Sequence, residues 1–214
     1  MKILYKFASR ERPEKFFKCL DNIISLARHN DFSILASLDL DDKSMANPQV
    51  RDRIKKYPQV QAFYGTSQGK IHAINRDLEF AGDFDILCNH SDDMVFIKEG
   101  FDLDILEAFE NFNGLVHFPD QKVGQKLITY AMMSKAYFDL DGYIYNPQFW
   151  SVYADNYQQW KAQKRGMYKF VQKRILDHEH SIWGYGPPDD LLKRTENPEN
   201  YKRDHATYLK LIAE

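Results

Sequence analysis

The chain has 214 residues, 43% of them apolar and 28% charged, which is enough to bury the core of one soluble domain spanning 1–214. Lys plus Arg total 29 against 31 Asp plus Glu, a net charge of −2, and that balance excludes a general nucleic-acid binder, which carries a basic surplus. No window approaches the roughly 18 apolar residues of a membrane span, and MKILYKFASR lacks a secretory apolar core, so a cytoplasmic protein without a transmembrane segment is expected.

Ile3 to Phe7 reads as a buried strand, followed by a polar loop with Ser9, Arg10 and Arg12. Pro13 suits the first turn of a helix, and Phe16, Leu20, Ile23, Ile24 and Ala27 follow helical spacing. A second strand, Phe32–Leu38, ends in Asp39-Leu40-Asp41-Asp42. A helix over 47–57 precedes a third strand at Val60–Tyr64, then a turn from Gly65 to Gly69 and a helix carrying Ile71, Ala73, Ile74 and Leu78. The fourth strand, Phe84–Cys88, runs into Ser91-Asp92-Asp93.

Strand and helix alternate throughout this half, the pattern of an α/β fold with a mostly parallel sheet. Ligands of such sheets bind beyond the carboxyl ends of the strands, where the polar clusters at 9–12, 39–42 and 89–93 all fall. Beyond residue 96 the pattern is less regular. Phe101, Ile105, Ala108, Phe109 and Phe112 form a helix face, Leu115–Phe118 and Lys126–Met133 read as strands, 155–165 as a helix, and 189–211 as one or two more. Cys19 and Cys88, on a helix and a buried strand, read as free thiols.

The adjacent carboxylates Asp92 and Asp93 repel each other and lose hydration when buried, and a divalent cation offsets both costs. In the extended segment Asp177-His178-Glu179-His180 the two imidazoles share one face, a spacing suited to metal. Trp150, Trp160, Trp183, Tyr143 and Tyr145 offer flat faces for a sugar ring in the second half. There is no GxxxxGK[ST] loop, no GxSxG elbow and no structural zinc set; Gly184 and Gly186 precede Pro187-Pro188 rather than a helix.

In order and spacing, Ser9-Arg10-x-Arg12-Pro13, Asp39-x-Asp41-Asp42, Gly69-Lys70-Ile71-x-Ala73-Ile74-Asn75 and Ser91-Asp92-Asp93 resemble a GT-A nucleotide-sugar glycosyltransferase of the family 2 type. The resemblance continues through Met133-Ser134-Lys135 and Ser151-Val152-Tyr153-Ala154-Asp155-Asn156. It implies a Rossmann-like GT-A domain with a mostly parallel central sheet flanked by helices. Residues 1–95 would form the nucleotide-sugar half, and 96–214 the acceptor half with the C-terminal helices.

It also implies roles. Asp39 would read the nucleobase and Asp41 the ribose; Ser9, Arg10, Arg12 and Lys70 would face the nucleotide. Asp92 and Asp93 match a DXD-like motif in which Ser91 takes the first acid's place, with Asp93 on a Mn2+ or Mg2+ ion and Asp92 near the ribose. One of His178 and His180 would complete the metal shell; His180 is the choice because it opens the Ser181–Gly186 loop. Asp155 matches the second acid of an acceptor-side Glu-Asp motif and would be the general base, although Ala154 replaces the first acid. The implied reaction moves a sugar, with inversion, from a UDP-sugar to a hydroxyl of a glycan or other acceptor.

Two other readings stay open. A sugar-1-phosphate nucleotidyltransferase would need a Gly-rich loop after the first strand, and Ala8–Glu14 has no glycine. A sugar-nucleotide-binding module without catalysis would agree with Ala154.

Overall fold

The computed structural model describes all of residues 1–214. In chain order the elements are β1 (Ile3–Ser9), α1 (Pro13–Leu26), β2 (Phe32–Asp39), α2 (Pro48–Ile54), β3 (Val60–Gly65), α3 (Lys70–Asn75), β4 (Ile86–His90) and β5 (Met94–Phe96). They continue with α4 (Phe101–Phe109), β6 (Leu115–His117), β7 (Met132–Ser134), α5 (Lys135–Phe138), α6 (Ala154–Lys164), β8 (Tyr168–Phe170), β9 (Leu176–His178), α7 (Asp190–Thr195) and α8 (Pro198–Ala213).

Seven strands form the central sheet in the order β3-β2-β1-β4-β7-β6-β8. β1 runs parallel to β2 and β4, and β2 to β3; β7 is antiparallel to both β4 and β6, and β8 parallel to β6. The chain therefore winds outward from β1 to β3, then returns to build β4 on the other side of β1. That reversal opens a crevice at the carboxyl ends of β1 and β4.

β1 is nearly continuous in apolar residues because helices cover both its faces. Its odd positions, Ile3, Tyr5 and Phe7, pack with Phe16, Leu20 and Ile23 of α1, Val50 of α2 and Ile105 of α4. Leu4 points the other way, into a core shared with Ile71 and Ile74 of α3, Tyr137 of α5, Tyr157 of α6 and Leu211 of α8. Each buried Phe, Leu or Ile adds roughly 2 kcal/mol by leaving water. Lys6, on the same face as Leu4, is fully buried; its ammonium donates to Ser37 Oγ at 2.7 Å and to the Ala73 carbonyl at 3.3 Å.

α1 begins at Pro13, as its fixed φ and missing N–H favour. The segment expected as a strand over Lys126–Met133 pairs only from Met132. Upstream, the Ile128 amide bonds to the Gln159 side chain at 2.6 Å and Thr129 Oγ1 to Asp120 at 2.9 Å. Ile128, Tyr130 and Ala131 are buried by tertiary packing rather than by a ladder, so their apolar run mimics a strand. Cys19 and Cys88 are free and buried.

Candidate functional site

The register of the parallel strands places the polar clusters together. Ser9 lies opposite Leu38, Asp39 opposite Gly65, and Phe7 opposite His90. Where these strands end, Ser9-Arg10, Asp39-Leu40-Asp41 and Ser91-Asp92-Asp93 emerge on one rim. They line a cleft of about 850 Å³ whose far wall comes from α3, α6, the segment after β9 and the α7–α8 junction. Ser9, Arg10, Arg12, Asp39, Asp41, Lys70, Asp92, Asp93, Asp155, His178 and His180 all border it.

Asp92 is buried and both its oxygens are engaged: Ser9 Oγ donates to Oδ2 at 2.7 Å and Arg12 Nη1 to Oδ1 at 2.8 Å. Burial pushes its pKa up, against the pull of Arg12. Asp93 behaves oppositely. Burial would raise it, but hydrogen bonds from His178 and Ser91, with the His178 charge, hold it well below the usual carboxylate range.

His178 reaches Asp93 because the antiparallel ribbon β5–β9 sets Met94 opposite His178, and the Glu179 amide donates to the Asp93 carbonyl at 2.7 Å. His178 Nε2 lies 3.4 Å from Asp93 Oδ2, while its Nδ1 is buried without a hydrogen-bond partner, 3.9 Å from Asp120 Oδ2. His180 sits 5.2 Å away, ring to ring, with Nε2 turned to Glu196 Oε1 at 3.5 Å. Of the two imidazoles, His178 is the one beside Asp93.

At the other end, Arg10 spans two carboxylates. It donates to Asp39 Oδ2 at 2.8 Å and grips Asp41 through two bonds of 2.7 and 2.9 Å, which lowers the Asp41 pKa. Asp39 also accepts from Ser67 Oγ at 2.5 Å and Arg76 Nη1 at 3.3 Å. Lys70, the first residue of α3, faces Glu196 Oε1 at 3.5 Å. Burial works to raise the Glu196 pKa, but the His180 bond and the Lys70 charge outweigh it, and the net shift is downward.

Asp155 stands in the first turn of α6 and not at its cap, which is Tyr153 with φ 60°, and it accepts from the Asn156 amide at 2.9 Å. Desolvation on the cleft wall raises its pKa, and the Asn156 amide and Lys70 charge recover only part. Trp150, Trp183 and Tyr145 border the cleft. Trp160 does not; it stacks on Tyr157 at 5.7 Å, and Tyr143 accepts from Lys161 at 3.0 Å.

Several contributors have no counterpart among the motifs. Asp189 binds Arg12 through bonds of 2.6 and 2.8 Å, Arg76 and Ser67 share Asp39, and Glu196 joins Lys70 to His180. A signal for Glu196 existed: Asn197-Pro198 breaks the helical run there, so Glu196 sits at a junction and not on a helix face.

No family model matches the sequence. Among solved structures, the mannosyltransferase PcManGT from Pyrobaculum calidifontis, in complex with GDP-Man and Mn2+, is similar at TM-score 0.70 and 12% identity, covering 94% of this chain and 69% of that one. Residues 1–349 of S. aureus TarS in complex with UDP-GlcNAc give TM-score 0.64 at 14% identity, over 90% of this chain and 64% of that one. A longer S. aureus TarS chain gives 0.65 at 12% identity, over 98% of this chain but only 43% of its own length. The chain thus spans about two thirds or less of these proteins, and what it shares with them is the fold: a GT-A-like α/β domain with a mostly parallel central sheet.

Proposed function

We propose that the chain transfers a sugar from a nucleoside-diphosphate donor to a hydroxyl acceptor, with inversion, assisted by a divalent cation. The observation that carries this reading is the convergence of all eleven polar candidate residues on one cleft at the carboxyl edge of the sheet. The likeness in fold to PcManGT, seen with GDP-Man and Mn2+, and to TarS, seen with UDP-GlcNAc, supports a nucleotide-sugar donor. A UDP-sugar is the donor we favour, and a glycan hydroxyl the acceptor.

The donor set suits a hard cation. No three acidic, His or Cys side chains gather as a cage, but Mg2+ and Mn2+ at nucleotide sites need only one or two protein ligands, the rest being phosphate oxygens and water. Both carboxylates are engaged, Asp92 by Ser9 and Arg12 and Asp93 by Ser91 and His178, but Asp93 is held ionised whereas burial raises the pKa of Asp92. Asp93 with His178 would hold the ion, and His180 is the nearby alternative. Bound there, the metal would neutralise charge on the departing diphosphate.

The remaining work falls to the protein. Arg12, Ser9 and Asp92 form one buried unit that shapes the floor, and Lys70 presents an ammonium to the phosphates. Arg10, Asp39 and Asp41 form the end that meets the base and ribose. Asp155, whose pKa is raised by desolvation, takes the proton from the acceptor hydroxyl as it attacks.

The test is thermal stability against a panel of nucleoside-diphosphate sugars, with and without Mn2+. A ligand of the native state raises the melting temperature, so no acceptor need be known. A rise needing both metal and one sugar nucleotide, and lost in Asp93→Ala, is expected. No rise with any donor would overturn the reading.

A further inference from the structure

The loop from Trp150 to Val152 is fixed by one carboxylate far along the chain. Asp204, on α8, is fully buried, and its side chain accepts the amide of Trp150 at 3.1 Å (Oδ1) and 3.2 Å (Oδ2). The amides of Ser151 and Val152 donate to Oδ2 at 2.8 and 2.9 Å. Three consecutive backbone N–H groups thus converge on one anion, and charge-assisted bonds of this kind are about twice as strong as neutral ones.

Both ends of the clamped loop lead into the cleft. The Trp150 carbonyl accepts the amide of Ile71, in the first turn of α3 beside Lys70, at 3.1 Å. The Trp150 indole lies against Gly69, where an added Cβ would come within 2.9 Å of the ring, and Arg203 lies 4.8 Å from its centroid. On the other side, Tyr153 takes φ 60° before Ala154 and Asp155 begin α6. A left-handed tyrosine costs about 1–3 kcal/mol and persists only where its surroundings over-determine it. Here α8 does so, with Tyr201, His205 and Tyr208 around the Tyr153 ring at 6.2, 5.0 and 5.8 Å.

We propose that Asp204 is a positioning residue that, by clamping the 150–152 amides, fixes Asp155 in the geometry of the cleft. The inference rests on the reading of Asp155 as general base. It explains why an acid on the last helix is buried against backbone and not against a side-chain cation alone.

The experiment compares wild type, Asp204→Asn, Asp155→Asn and the double variant by amide hydrogen exchange, donor affinity and steady-state turnover. The conservative Asn keeps the shape and one acceptor oxygen, so the fold is retained. In Asp204→Asn, amides 150–152 should exchange at least about tenfold faster than in wild type while those of β1, β2 and β4 are unchanged. Its kcat should fall about tenfold or more with donor Kd within about threefold, since small misplacements of reacting groups carry such losses. The double variant should be no slower than Asp155→Asn. Unchanged exchange at 150–152, a loss confined to KM, or fully additive losses would overturn the proposal. A wild type that turns over no donor refutes the transferase reading instead, and the exchange measurement, which needs no substrate, still upholds or overturns the clamp.

Discussion

Arg12 donates to Asp92 across 2.8 Å, joining the loop after β1 to the first of the two aspartates after β4. The carboxylate side chain is 5% exposed and the guanidinium 14%, so neither has water to fall back on. Removing one partner of such a pair leaves the other buried and uncompensated. Arg12→Met should therefore cost about 3 kcal/mol in urea unfolding. Asp189→Asn, at the half-exposed end of the same guanidinium, should cost less than about 1 kcal/mol.

Asp155→Asn keeps the shape of α6 but removes the carboxylate proposed to accept the proton. Donor affinity should stay within about twofold while turnover falls by about 10²–10⁴, the range assigned to a lost general base. Isothermal titration and initial rates with the same donor measure the two.

Glu196 occupies two groups that a diphosphate would otherwise meet, the Lys70 ammonium and the His180 imidazole, at 3.5 Å each. Glu196→Gln should tighten nucleoside-diphosphate binding roughly twofold to fivefold at low salt, with the gain shrinking at high ionic strength. Weaker binding would mean that the glutamate helps hold the nucleotide.

Gly69 has φ 156° and lies under the Trp150 indole, 2.9 Å from where a Cβ would be. Gly69→Ala should destabilise by about 1–3 kcal/mol. In a double-mutant cycle with Trp150→Ala the losses should be less than additive by about 1 kcal/mol, because the smaller residue removes the clash.

Lys6 is buried beside Ser37, and burial lowers its pKa to about 7. Between that value and the unfolded one near 10.5, the unfolded chain binds a proton that the folded chain does not, so stability rises with pH there. Below about pH 7 the cost of the buried charge is fully present. From pH 7 to 8.5, before thiols and phenols titrate, the gain should be on the order of 1 kcal/mol. Urea unfolding should show that slope in wild type and lose it in Lys6→Met.

The first half was legible because its rules are local. Strands from Ile3, Phe32, Val60 and Ile86 end in polar residues, and parallel pairing sends those ends to one edge. Asp92 and Asp93 were expected at that edge by this logic, whereas Lys70, at the start of α3, was named only through the family resemblance. The second half was not legible, because its contributors act through distant partners. Asp189 and Glu196 belong to no motif in the sequence, yet they meet Arg12 and Lys70 across the cleft. Asp39 read as a free acceptor for a base, but Arg10, Arg76 and Ser67 already surround it, side chains that periodicity cannot bring together. His178 and His180 share a face in an extended strand; only the β5–β9 register shows which stands beside Asp93.

The reach of Asp204 also bears on the order in which the protein becomes competent during synthesis. The amides it gathers precede it by 52 to 54 residues, so the 150–152 loop is synthesised well before the residue that clamps it. Until α8 docks, Tyr153 has nothing to hold it left-handed and α6 begins from an unfixed loop. A change confined to α8 therefore reaches both the 150–152 loop and the start of α6.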